Sequence, residues 1–260
     1  MPEIEKPYLS WSQASQYLKC PTQYRLQRIE KAKPAYERNG AAFCGQLGHK
    51  SLEMNYLQKI SSGNDLKPDD VADHFAALFD AESEPETIQW IGETAQRGRD
   101  NTIAALRAHM KHLAPTIQPK AVEKRIRIVL GGLPFDLLTI LDLVTVDDRV
   151  VDSKFYGRMK SQADADADGQ LTVYALAYMS EYGELPTELA LAIATRTNTP
   201  TAKMISTKRT WAQVDWQLET QLKPIFKGIA AEVFPARDDG WWCSEKWCSF
   251  YAQCKGKSLS

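Results

Sequence analysis

The chain has 260 residues, 43% of them hydrophobic and 25% charged, which is enough to bury a sizeable core in one large domain or one domain with attachments. A formal net charge of −1 excludes a polycation that coats nucleic acid, so any such contact must come from a local groove. No run of about 18 apolar residues occurs, and "MPEIEKPYLSW" lacks the charged-then-apolar pattern of a signal peptide; a cytoplasmic, reducing setting with no membrane contact is expected.

In chain order, "SWSQASQYLKCPTQYRLQRIEK" (10–31) opens on serines suited to capping, and Pro21 divides it into two short helical pieces. "GQLGHKSLEMNYLQKI" (45–60) predicts a helix, as do residues 68–83 and 86–113, with a break near Pro85. The character then changes. "AVEKRIRIVL" (121–130) alternates apolar and charged residues with period 2, the pattern of a half-buried strand. "GGLP" turns the chain into the apolar strand "FDLLTILDLVTVD"; Asp147 and Asp148 turn it again into "RVVDSKF". These three strands predict an antiparallel meander. A polar loop follows, then an amphipathic helix (169–183), an apolar strand (187–195), a short edge strand "AKMISTK" and a helix from about Thr210 to Val233. Helix-rich segment, three strands, helix, strand, helix is the order of an α/β layered fold with a mixed sheet.

The chemistry concentrates in "VVDSK". Asp152 and Lys154 stand two apart on a strand and share a face. Asp142 lies in the neighbouring strand, which the turn at 147–148 folds back so that the two acids approach across the ladder. Two carboxylates that close repel unless a cation lies between them, and a hard divalent ion such as Mg²⁺ answers this with oxygen ligands. The Ser153 carbonyl offers one more oxygen. The competing structural interpretation is a buried Asp–Lys pair beside an unrelated acid, although such pairs are costly and add little stability.

Here the sequence resembles a known family. "LD" (141–142) followed by "VVDSK" (150–154) resembles the two-part signature of PD-(D/E)XK nucleases. "SWSQASQYLKCPTQYRL", "GQLGHKSLE" and "QLTVYALAY" resemble, in family order, the N-terminal segment, the G-x-x-x-H-x-x-x-E helix and the Q-x-x-x-Y helix of the RecB-like branch. The resemblance spans residues 10–254 and implies a restriction-endonuclease-like mixed sheet flanked by helices. It further implies a single nuclease domain: a helical N-terminal part (1–115), a catalytic sheet and helix (116–208), and a C-terminal helix with a cysteine-rich tail (209–260). Asp142 and Asp152 would be metal-binding acids and Lys154 the catalytic lysine. His49 would be a metal ligand or close to the metal, and Gln170 and Tyr174 would line the site or contact DNA. Glu123 resembles an acid that some members carry, but among charged neighbours it also reads as a solvated residue. A glycine common three residues before the first acid is Thr139 here. Helix spacing agrees independently: His49 with Glu53, and Gln170 with Tyr174, are four apart and face the same way. Taken alone, His49 also reads as an ordinary helix histidine and Tyr174 as core packing.

Five cysteines, Cys20, Cys44, Cys243, Cys248 and Cys254, are an odd count that argues against a disulfide framework in a reducing compartment. Three of them form C-x₄-C-x₅-C near the C-terminus, and three thiols so close in sequence can converge on one centre. Cys20 matches the cluster cysteine in the N-terminal segment of iron–sulfur members of the family. The four together imply a [4Fe–4S] clasp, with zinc or four unlinked thiols as alternatives. Cys44 reads as a small buried residue. Trp241, Trp242, Trp247, Phe250 and Tyr251 are expected to pack around the thiol centre.

The resemblance therefore implies an Mg²⁺- or Mn²⁺-dependent deoxyribonuclease. It would act as an exonuclease or single-strand processor in recombination, repair, phage or CRISPR contexts, with DNA of single-stranded character as partner and recombination or phage proteins beside it. The rival is a DNA-binding or scaffold module on the same fold with a degenerate site. No GxGxxG or P-loop supports a nucleotide-cofactor or redox enzyme.

Overall fold

The structure is a computed structural model that describes residues 6–83 and 87–255. The break expected at Pro85 and the first five residues lie outside them. The elements are β1 (Tyr8–Ser10), α1 (Trp11–Lys19), α2 (Pro21–Tyr24), β2 (Arg38–Asn39), α3 (Gly40–Ser62), α4 (Pro68–Glu82), β3 (Ile88–Gln89), α5 (Ala95–His112), β4 (Pro119–Ile128), β5 (Asp136–Thr145), β6 (Arg149–Tyr156), α6 (Gln162–Asp166), α7 (Gly169–Tyr182), β7 (Glu188–Thr195), β8 (Ala202–Thr207), α8 (Trp211–Gln217), α9 (Lys223–Ala230) and α10 (Tyr251–Cys254). Among these residues no helix is long and apolar enough to cross a membrane.

The chain divides into two compact units. One comprises Met1–Glu37, Arg127–Thr139 and Ala212–Ser260; the other comprises Arg38–Ile126 and Ile140–Trp211.

The second unit carries most of the sheet. β4 pairs with β5, β5 runs antiparallel to β6, β6 parallel to β7, and β7 antiparallel to β8. The sheet is therefore mixed, as the sequence order implies. β6 and β7 are buried along most of their length because both faces are covered, and β7 is apolar from Leu189 to Ala194. One face packs on α3, α4 and α5 through Phe43, Leu47, Phe75, Leu106, Phe155 and the alanines of β7. Along α3 the buried positions recur as 43, 44, 47, 48, 51, 52, 55, 56 and 59, one stripe of a helix. Asn39 caps α3, accepting from the Ala42 amide (2.8 Å), and Gly63 ends it in the left-handed region (φ +72°).

The helix expected over 86–113 starts only at Ala95. Gly92 takes a positive φ (+78°), Thr94 caps the helix at the Arg97 amide (3.2 Å), and Ile88–Gln89 pair in parallel with Arg38–Asn39. The reason is Trp90, whose ring fills the space where a Cβ would stand on Gly40 or Gly98, so the chain must leave helix to deliver it. The polar loop after β6 contains the short helix α6, opened by a capping box between Ser161 and Asp164.

In the first unit β1 pairs in parallel with the start of β5, Tyr8 opposite Asp136 and Ser10 opposite Leu138. Ser10 then caps α1 with a reciprocal Gln13 contact, and Pro21 opens α2 at the position where its missing N–H costs nothing. The helix expected over 210–233 ends at Ala230 and passes through a π-helical turn at Leu218–Leu222. The two ends of the chain are stitched together here. Tyr17 Oη donates to Val233 O (2.6 Å), Thr22 Oγ1 to Phe234 O (2.9 Å), and the Ala35 amide to Ser249 O (2.8 Å).

Candidate active site

The site lies in the second unit, where β5 and β6 part. Leu143 pairs with Val151 and Val144 with Val150. Beyond Leu143 the Ser153 amide donates instead to the Asp142 carboxylate (3.3 Å). That switch leaves Asp142 and Asp152 as the first side chains past the closed ladder. His49 arrives from α3, its Nδ1 3.1 Å from Asp142 Oδ2. Gly48 makes this approach possible, because a Cβ there would lie 2.6 Å from the Phe155 ring on β6. The ligand atoms of His49, Asp142 and Asp152 all lie within 4.8 Å of one another, the single such set of three among the described residues.

Lys154 shares the Asp152 face, as strand alternation requires. Its Nζ is 2.8 Å from Asp152 Oδ2 and donates to Gln170 Oε1 (3.2 Å). Gln170 Nε2 donates to Tyr174 Oη (2.9 Å), and Tyr174 Oη donates to Asp142 Oδ1 (3.1 Å). The first turn of α7 is fixed by the Asp168 carboxylate, which accepts from the Gln170 and Leu171 amides (2.8 and 3.2 Å). Lys154, Gln170, Tyr174 and Asp142 thus form one connected chain.

The electrostatics follow from burial. Burial pushes the Asp152 carboxyl well above the usual range; Lys154 opposes this, while the Asp142 charge adds to it. Burial also acts upward on Asp142, but the His49 charge and hydrogen bond, helped by Lys154, hold it below the ordinary carboxylate value. The pair shares the load unequally, because two adjacent buried carboxylates cannot both ionise without a cation. Burial would discharge Lys154, yet Asp152 and Asp142 outweigh it and keep the amine protonated. Burial lowers the His49 value and Asp142 raises it, with a net rise.

Glu123 joins this group. It sits in the middle of β4 with φ +48°, a conformation that a glutamate adopts only under compulsion. With His49, Glu53, Tyr56, Asp142 and Ser153 it lines a hollow of about 10 Å³, room for about one water- or ion-sized sphere. Burial first, and then the Asp142 and Glu53 charges, push its carboxyl up to about 7. Its charged sequence neighbours had also permitted a solvated residue; the strained backbone that turns it inward carries no sequence signal. Glu53 lines the same hollow; its spacing from His49 and its place in the G-x-x-x-H-x-x-x-E resemblance had marked it. Thr139, at the position where a glycine is common, is an ordinary buried strand residue, so Asp142 reaches the group without a glycine there.

The residues fit a divalent cation. Asp152 is 0% exposed, its Oδ2 has only the Lys154 ion pair, and its Oδ1 meets no hydrogen-bond donor. An orphaned buried carboxylate oxygen beside a second carboxylate and an imidazole is a donor set for a hard or borderline metal ion.

A family description, "PD-(D/E)XK nuclease superfamily", matches residues 8–255. The chain belongs to that superfamily. A candidate exonuclease from Eubacterium rectale is similar in structure, with 14% identity, a TM-score of 0.55 and coverage of 89% of this chain and 85% of the other. That likeness bears on fold, and the mixed sheet flanked by helices is the restriction-endonuclease-like arrangement. A second solved structure, SSO0001, has 12% identity, covers 91% of this chain and 95% of its own, and reaches a TM-score of only 0.37. No curated protein matches the chain.

The cysteines belong to the first unit. Cys20, Cys243, Cys248 and Cys254 line one cavity of about 510 Å³, together with Trp242, Phe250 and Tyr251. Burial first, then the neighbouring thiolates of Cys20 and Cys243, raise the Cys254 thiol; burial and the other three thiols act likewise on Cys248. Not all of the tail aromatics surround this cavity. Trp241 is 68% exposed, stacked edge-on against Trp247, because the tight turns of 240–247 point it outward. Cys44 is fully buried in the other unit, as expected.

Proposed function

We propose that this chain is an Mg²⁺- or Mn²⁺-dependent deoxyribonuclease of the RecB-like branch. It would process DNA with single-stranded character, as an exonuclease, in recombination, repair, phage or CRISPR-related pathways. The observation that carries the proposal is the convergence of His49, Asp142 and Asp152 beside a charged Lys154. The family match runs across both compact units, which supports one nuclease domain rather than two.

Asp142, Asp152 and His49 would hold the cation, with the Ser153 carbonyl and Glu123 at its margin. When bound, a divalent ion there supplies positive charge to a phosphodiester and acidifies water. The chain's own residues do the rest. Lys154 is pinned between Asp152 and Gln170 and kept protonated, so it serves as a fixed positive charge for the oxygens that gain charge during displacement. Tyr174 and Gln170 hold Asp142 and Lys154 in register. The low exposure of Asp152 keeps water from screening these interactions.

The four thiols would hold a structural [4Fe–4S] cluster in a reducing compartment. A tetrahedral zinc site, with bonds of about 2.3 Å, requires sulfurs about 3.8 Å apart. Among the described residues no three cysteines bring their sulfurs within 4.8 Å of one another. The wider spread around one cavity favours a polynuclear centre over a single ion.

End-labelled linear single- and double-stranded DNA, incubated with Mg²⁺, Mn²⁺ or chelator, tests the proposal. Metal-dependent shortening from an end is expected, and Lys154→Ala should lower it by about a thousandfold while DNA is still bound. Binding without cleavage by the unaltered protein would leave a scaffold module.

A further inference from the structure

Arg209 stands outside every motif, yet all three of its guanidinium nitrogens are hydrogen-bonded. It follows β8 and is only 8% exposed. Its Nε donates to Thr172 Oγ1 (2.8 Å). Its Nη1 donates to Thr207 Oγ1 (2.9 Å) and Lys208 O (3.0 Å). Its Nη2 donates to Ala165 O (2.9 Å) and Asp168 O (3.1 Å). The last two are carbonyls at the corner where α6 ends and α7 begins; Ala165 O also accepts from the Asp168 amide (3.3 Å) and Asp168 O from the Thr172 amide (3.3 Å), so the guanidinium adds a further donor to carbonyls that already fix the corner. Every nitrogen of the guanidinium is used, in the planar fork that lysine lacks.

Other contacts brace the same corner. Thr207 Oγ1 donates to Asp166 Oδ1 (2.6 Å) and Gln162 Nε2 to Ser206 O (2.8 Å), which tie α6 to β8. Burying a guanidinium is costly, and the nearby Asp168 and Asp166 charges offset only part of that cost here. A corner that served only to connect two helices could be closed by a glycine or by water.

We propose that Arg209 is a positioning residue for the nuclease reaction: by clamping the α6–α7 corner it sets the first turn of α7, and so holds Gln170 where it fixes the Lys154 amine. Asp168 links the two ends. Its carbonyl accepts from Arg209 while its carboxylate accepts from the Gln170 and Leu171 amides. Gln170 then accepts from Lys154. A small displacement of this corner is transmitted to the one side chain that must stay aligned with the phosphate, and misplacement on that scale is expensive in rate. The proposal rests on the nuclease function above.

The test is a double-variant cycle on the full chain with Mg²⁺ and end-labelled DNA. Arg209→Lys keeps the charge and loses the fork. It should lower kcat about tenfold while KM changes by less than about twofold. In a Gln170→Ala background the same substitution should lower kcat no further, although it still lowers the melting temperature. Thr172→Val, which removes the Nε acceptor together with the Thr172 Oγ1 bond to Asp168 O (3.3 Å), should reproduce the pattern and serves if Arg209→Lys folds poorly. An equal loss of kcat in both backgrounds, or an effect on KM alone, overturns the proposal.

Amide hydrogen exchange separates this from failure of the nuclease assignment. Arg209→Lys should speed exchange at Gln170 and Leu171 relative to Leu176 and Ala177 later in α7. Uniform exchange along α7 overturns the positioning role even when DNA is cleaved. Absence of cleavage by the unaltered protein, with selective exchange retained, overturns the nuclease function and the catalytic half of the proposal.

Discussion

The two units hold their chemical groups in opposite ways. In the second, the protein itself braces the groups around Asp152: Lys154 by Asp152 and Gln170, Asp142 by His49, Tyr174 and the Ser153 amide. In the first, four thiols drawn from both ends of the chain face a cavity of about 510 Å³, where burial and then the neighbouring thiols raise the pKa of Cys248 and Cys254. A site for a transient cation can be organised in advance by hydrogen bonds. A site for a permanent group leaves its ligands dependent on that group, and its binding energy becomes folding energy.

That contrast can be broken by removing one group from each side. Cys248→Ser should lose the iron absorbance of an anaerobically prepared sample and lower the melting temperature by roughly 5–10 °C. A colourless, iron-free parent protein with the same melting temperature would remove the distinction between the units. Gly48→Ala should cost about 1–3 kcal/mol in urea unfolding, because the new methyl meets the buried Phe155 ring and α3 must shift, carrying His49 with it. A neutral result would show that the close approach of α3 to β6 is not needed.

A third prediction sharpens the comparison through pH. His109 is fully buried, donates to or accepts from Tyr56 Oη (2.8 Å), and is lowered to about 3 by burial and by the His49 charge. Its folded value lies below the unfolded one of about 6.5. Between these values the unfolded chain binds the extra proton, so stability falls as pH drops from about 6.5 towards 3, by up to about 1.4 kcal/mol per pH unit. His109→Gln, which still offers Tyr56 a partner, should flatten that slope in denaturant melts between pH 4.5 and 7. An unchanged slope would mean that other groups dominate acid unfolding.

Much of this was legible in the sequence, for physical reasons. β4 to β8 declare themselves by period and turn residues, and Asp142, Asp152 and Lys154 by acids set in apolar runs that a strand must point one way. His49, Gln170 and Tyr174 followed from helix spacing together with the family resemblance. What stayed hidden depends on tertiary contact. Trp90 breaks the expected helix because two distant glycines receive its ring. β1 is three residues long and exists only by pairing with β5. Glu123 turns inward through a positive φ in a strand whose sequence favours none. Arg209 acts on backbone carbonyls, which are the same in every sequence.

The most direct measurement is Mn²⁺ binding followed by electron paramagnetic resonance in the metal-stripped protein. The unaltered chain and Lys154→Ala should both bind the ion, while a combined Asp142→Asn and Asp152→Asn variant should lose it and all cleavage. Equal Mn²⁺ binding by the unaltered protein and the doubly substituted one would place the ion elsewhere and contradict the account.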